Sequence, residues 1–235
     1  TLIALRRSHE PDPLMTSRKH SIKTHALLTT AALLLPLAAQ AHKPWLAPSK
    51  TVLSVGQWVT VDAAASTVPF VRDHNAMRLD NLAITAPDGR SVAPDNTASG
   101  KLRSTFDLQL TQPGTYRIAM LNGGISASWQ DNGQTRRYPP RGQPFNTAEF
   151  ANAVPATATG LKVSQSTGRL ETYVTAGKPS VGALKPTGRG LELAPVTAFN
   201  DLYVGERATF QLLIDGKPAQ GVEVELIADG ARYRD

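Results

Sequence analysis

From residue 51 onward the apolar residues recur with period two in short runs, and each run is closed by Gly, Pro or an Asp-Gly pair. That period sets one face of an extended chain against a core, and the punctuation leaves few windows long enough for a helix. In Thr51-Val-Leu-Ser-Val-Gly-Gln-Trp-Val-Thr-Val-Asp62 the residues Val59, Val61 and then Ala63 fall on a single face. Asn81 to Thr85 runs into Ala86-Pro-Asp-Gly89 and then Arg90-Ser-Val92, a hairpin signal. Phe106, Leu108 and Leu110 alternate, Gln112-Pro-Gly114 turns the chain, and Tyr116, Ile118 and Met120 alternate again.

A strand, a Pro-Gly-x-Tyr turn and a second strand form the corner of immunoglobulin-like sandwiches, where a tyrosine near a strand start ties down the preceding loop. The expectation is an all-β chain of tandem immunoglobulin-like β-sandwich domains, the first over residues 42–176. Leu170, Thr172 and Val174 close that domain on one face of a strand. Residues 122–160 break the pattern and read as a long loop. Arg136, Arg137 and Arg141 stand there with no acidic residue between Asn132 and Ala148. They form the one local basic patch after residue 41, a candidate anion or partner contact with Tyr138 stacking beside it, although such Pro-rich composition also suits a solvated loop. Asn146-Thr-Ala-Glu149 has the spacing of a capped helix start, and Pro155 limits that helix to two or three turns. A Gly/Pro-rich linker over 177–194 follows. From 195 to 235 a second sandwich begins, with Asp215-Gly-Lys-Pro218 as a turn, and it stops short of the usual strand number.

The beginning of the chain follows another logic. Met15 opens a stretch with Arg18, Lys19 and Lys23 and no acidic residue, followed by an apolar run from Ala26 to Ala38 and by Ala39-Gln40-Ala41. This is the order of a secretory signal peptide over 15–41, with cleavage between Ala41 and His42 and export to the periplasm. The apolar run is shorter than the roughly 20 residues a membrane-spanning helix needs, so no membrane insertion is expected after cleavage. Residues 1–14 then read as upstream read-through. Five of the 25 basic and two of the 19 acidic residues precede His42, so 20 against 17 remain and an excess of +6 falls to +3. With that goes most of the case for a nucleic-acid partner.

No catalytic constellation is visible. The chain has no cysteine, which excludes disulfides, thiol nucleophiles and thiolate-held metals. Only His42 and His74 among the five histidines lie beyond the leader, and no Gly-x-Ser-x-Gly elbow or phosphate-cradling glycine loop accompanies them. No enzyme activity is therefore expected. Cleavage before His42 would instead place an α-amino nitrogen and an imidazole on one residue, two donors that chelate one metal ion. Pro44 lacks the N–H that a square-planar peptide site at the terminus would have to lose. The remaining ligands must come from elsewhere, and His74 within Arg72-Asp-His-Asn75 is the other imidazole. Asp73 is placed to add an oxygen or to orient His74. An amine with two imidazoles suits Ni(II), Co(II) or Cu(II), with Cu(II) bound most tightly on intrinsic affinity.

The chain resembles a family of exported bacterial domains of unknown function often described as periplasmic components of nickel or cobalt transport systems. The residues that carry the resemblance are His42-Lys-Pro-Trp45, Asp73-His74-Asn75, Met77-Arg-Leu-Asp-Asn81, Ala86-Pro-Asp-Gly89, Gly114-Thr-Tyr116, Glu171-Thr-Tyr-Val-Thr175, Gly188-Arg-Gly-Leu-Glu-Leu-Ala-Pro195 and Leu213-Ile-Asp-Gly-Lys-Pro218. The resemblance implies two tandem immunoglobulin-like domains, a periplasmic address, a role with divalent transition metal and an envelope metal-uptake transporter or receptor as partner. Family members continue beyond the last strand here. The metal ligands expected are thus His42, His74 and Asp73, with Trp45, Arg136, Arg137, Tyr138 and Arg141 as contact residues. Two other classes stand beside this one: a non-catalytic sandwich module binding protein or glycan in the envelope, and a copper-dependent oxidase.

Overall fold

A computed structural model describes residues 2–6, 42–140, 143–199 and 202–227. The strands are β1 (Leu2–Arg6), β2 (Lys43–Pro48), β3 (Val52–Leu53), β4 (Trp58–Ser66), β5 (Asn75–Ala76), β6 (Leu82–Thr85), β7 (Ser91–Val92) and β8 (Asp95–Ser99). They continue with β9 (Ser104–Gln109), β10 (Gly114–Asp131), β11 (Gln134–Tyr138), β12 (Thr159–Ala176), β13 (Leu191–Pro195), β14 (Phe210–Ile214), β15 (Lys217–Pro218) and β16 (Glu223–Ile227). One α-helix, α1 (Thr147–Ala153), and a 3₁₀ turn at Gly182–Leu184 complete the described elements.

Two sheets face each other. One runs β2-β4-β9-β8, with β5 also paired to β4; the other runs β3-β12-β10-β6-β7, with β11 also paired to β10. The period-two faces meet between them: Val59, Val61 and Ala63 of β4 and Phe106 and Leu108 of β9 pack against Ile84, Tyr116, Ile118, Met120 and Val174. All ten are buried. At roughly 1.5–3 kcal/mol for each large apolar side chain, this cluster is the main stabilising term. The all-β sandwich expected from the alternation is the observed architecture. The corner forms as well, since Tyr116 Oη accepts the Gln112 N–H at 2.8 Å and so pins the turn before β10. The Ala86–Gly89 hairpin joins β6 to β7, with Gly89 at φ +86°.

The described part of 122–160 is a correction to the sequence reading. Much of it is strand and helix: β10 continues to Asp131, β11 folds back on it from Gln134 to Tyr138, α1 follows, and β12 begins at Thr159. β10 and β12 pair from Gly114↔Ala176 out to Gln130↔Thr159, a ribbon that extends well past the sandwich. Helix α1 starts where its capping residue predicts, with Asn146 Oδ1 accepting from the N–H groups of Ala148 and Glu149. It ends before Pro155.

Beyond residue 190, β13, β14 and β15 form a three-stranded antiparallel sheet around the Asp215-Gly216 turn. The backbone of β1 pairs antiparallel with β16, so Leu2–Arg6, which the sequence placed outside the fold, is paired. The leader from Met15, the Ala41 side of the expected cleavage point and Arg141 lie outside the described residues.

Candidate metal centre

Strand β4 has two buried faces. While Val59, Val61 and Ala63 enter the core, Asp62, Ala64 and Ser66 project to the other side, as alternation requires, and are also shielded from water. Their cover is Trp45 of β2, in register with Ala64, together with the connection from Thr67 to His74. Trp45 is fully buried, and its Nε1 donates to Ser66 Oγ at 2.7 Å. Ser66 Oγ donates onward to the Val68 carbonyl at 2.5 Å. The Phe70 ring lies 5.8 Å from that of Trp45.

Arg72 closes the lid. Its Nε donates to Asp62 Oδ2 at 2.6 Å, its Nη2 bonds the same oxygen, and its guanidinium lies 5.9 Å from the centre of the Trp45 ring, within cation–π range. Arg103 Nη1 approaches Asp62 Oδ2 at 3.4 Å from the turn before β9. A half-exposed arginine thus ties the lid to a buried carboxylate, and two residues later the chain reaches His74.

These anchors bring the two expected imidazoles together. Trp45 fixes β2 three residues after His42, and Arg72 fixes the lid two residues before His74. The rings of His42 and His74 stack with centroids 3.3 Å apart and planes 11° from parallel, both residues being exposed. Asp73 is exposed, and among the described residues no three His, Cys, Asp or Glu side chains gather as a metal-binding set. What the fold brings together here is a pair of exposed imidazoles.

Other expected contact residues are placed differently. Trp45 is an internal anchor and is unavailable to a ligand. Tyr138 is 8% exposed because Phe145 and Phe150 fold over it from the α1 region, and its hydroxyl donates to the Asn146 carbonyl at 3.1 Å. Its stacking role is therefore corrected: the ring belongs to a small aromatic core with Ala127 and Trp129. Arg136 and Arg137 are exposed on β11, opposite Trp129 and Ser128. Sequence reasoning passed over Asp62, Ser66, Arg72 and Arg103. The available signal was Asp62 itself, a carboxylate in the middle of a strand whose neighbours are almost all apolar.

A family model described as a domain of unknown function, DUF4198, matches residues 39–235. The chain belongs to this family. The match begins at the segment that carries His42 and covers both the sandwich and the sheet beyond residue 190, so the His42-to-Trp45 start and the lid belong to one DUF4198 unit. No curated protein and no solved structure matches the chain. Among the described residues of this DUF4198 chain, no helix is long and apolar enough to cross a membrane.

Proposed function

We propose that the exported form of this DUF4198 chain captures a divalent transition-metal ion at His42 and His74 in the periplasm and passes it to an envelope metal-uptake transporter. The observation that carries the reading is the stacking of the only two histidines beyond the leader. Cleavage before His42 would add an α-amine, and that amine and the imidazole of one residue close a chelate ring. His74 supplies a third nitrogen. An ion sits near the plane of any imidazole that binds it, and two nearly parallel rings 3.3 Å apart share no such position. Binding therefore rotates at least one ring, which two exposed side chains can do at small cost. An exposed, incompletely ligated site suits capture and release better than storage. Nickel and cobalt are the ions the resemblance implies, and Cu(II) is the ion such nitrogens hold most tightly.

The test is calorimetric titration of protein beginning at His42 with Cu(II), Ni(II) and Co(II). One-site binding is expected, weakened at least ten-fold in His42→Ala, in His74→Ala and in protein with one extra residue before His42. Equal affinity with the extra residue would exclude the amine as a ligand and remove the reading.

A further inference from the structure

Beside the histidine pair lies a group of cations with donors to spare. Arg72 and Arg103 both direct N–H groups at a single oxygen of Asp62, so one carboxylate faces two guanidiniums. Each guanidinium has five N–H donors. Among the described residues, Arg72 spends two and Arg103 one, all on that oxygen. Both side chains are about half exposed, at 46% and 48%. The turn that carries Arg103 is held against β5, where the Lys101 carbonyl accepts the Ala76 N–H at 3.1 Å, two residues after His74. Two guanidiniums thus face the single carboxylate of Asp62.

Charge and coordination converge at this point. A divalent ion held by two imidazoles and an amine keeps its full +2, because all three donors are neutral, and the local cations raise the potential further. Three nitrogens also leave coordination positions open on Ni(II), Co(II) or Cu(II). An anion that ligates the metal would fill those positions and neutralise the charge. The fork of a guanidinium is shaped for carboxylate. The spacing is suitable, since Trp45, beneath Arg72, is three residues from His42, and three residues of strand span up to about 10 Å.

We propose that the ion arrives as its complex with a small di- or tricarboxylate, whose free carboxylate is gripped by Arg72 and Arg103 while His42 and His74 take the metal. This rests on the metal-capture reading above and names the form of the cargo. The metal exchanges water or chelate oxygens for nitrogens, and no covalent bond of the chelate changes.

The probe is Cu(II) with and without citrate, at matched free-copper activity, read by calorimetry and by electron paramagnetic resonance on protein beginning at His42. A ternary complex is expected, with a spectrum distinct from that of the binary one and an apparent affinity at least ten-fold above the bare ion's. In Arg103→Gln, whose loss leaves Asp62 paired with Arg72, the ratio of the two affinities should collapse towards unity. Arg72→Lys, which keeps the charge and removes the fork, should do the same if its melting temperature shows it folded. Citrate that only competes for copper would overturn the proposal and leave metal capture standing. Equal enhancement by inorganic phosphate would overturn the assignment to a carboxylate chelate. Failure of bare copper to bind under any condition would remove the underlying reading and this one with it.

Discussion

Trp45 and Ser66 meet diagonally across β2 and β4, the indole N–H on the serine oxygen at 2.7 Å, and both residues lie between the two histidines in the chain. On one side, His42 precedes Trp45 by three residues. On the other, the lid leaves Ser66 through Val68 and returns at His74. The stacked imidazoles therefore depend on a buried polar contact that neither of them touches.

Removing the serine hydroxyl separates these effects. In Ser66→Ala the indole Nε1 is left buried without an acceptor and the Val68 carbonyl loses its donor. Such a loss costs about 1–3 kcal/mol, to be measured by urea denaturation. Metal affinity should fall with it, because the lid loses its first anchor, whereas His74→Ala should lower affinity with little change in stability. Unchanged metal binding in a destabilised Ser66→Ala would show that the histidines are positioned independently of the lid.

The sandwich core was legible because its signal is local. Val59, Val61 and Ala63, or Phe106 and Leu108, repeat at a period that only an extended chain turns into a face. The capping of α1 by Asn146 and the corner at Tyr116 were legible for the same reason, since each partner lies within a few residues. The ribbon of β10 and β12 was not. Its outer part is held by backbone pairing between exposed strands, so Asn122-Gly-Gly124 carries no apolar alternation and reads as loop. Tyr138 looked free because Phe145 and Phe150 return over it only once α1 forms. The candidate site was half legible: the chemistry of His42 and His74 could be read from residue types, but Asp62 and Arg72 meet only through a reversal that includes Phe70 at φ +67°.

Steric fit gives a sharper test of the packing near the corner. A methyl group on Gly182 would lie 2.0 Å from the Pro87 carbonyl oxygen, a backbone atom that cannot swing aside. Gly182→Ala should therefore cost about 3 kcal/mol, at the upper end for overpacking. Gly89→Ala, in the hairpin that contains Pro87, meets no atom within 4 Å and bears only the left-handed penalty of its φ +86°, about 1–2 kcal/mol. Denaturant midpoints of the two variants should rank in that order, and the reverse order would contradict the close approach of the 3₁₀ turn to the β6–β7 hairpin.

The Gly188-to-Pro195 motif has a structural account, and it predicts an acid sensitivity. Glu192 is buried, and burial alone would raise its pKa. The opposing effect is larger: its carboxylate accepts the Thr187 N–H at 2.7 Å, the Thr187 hydroxyl at 2.8 Å and the Gly188 N–H at 2.8 Å, and Arg169 of β12 stands 3.5 Å away. The net result holds Glu192 below the ordinary carboxylate value. A group whose pKa is depressed on folding contributes stability that is full above its unfolded pKa, about 4.3 for glutamate, and is lost as pH falls through the folded value. Because Arg169 links β12 to this carboxylate at the start of β13, protonation should loosen the junction between the sandwich and the sheet beyond residue 190. Urea midpoints from pH 7 down to pH 3 should show the wild type ahead of Glu192→Gln at neutral pH, with the gap closing only in the acid range. A gap that stayed constant from pH 7 to pH 3 would mean that the carboxylate's charge contributes nothing to this junction.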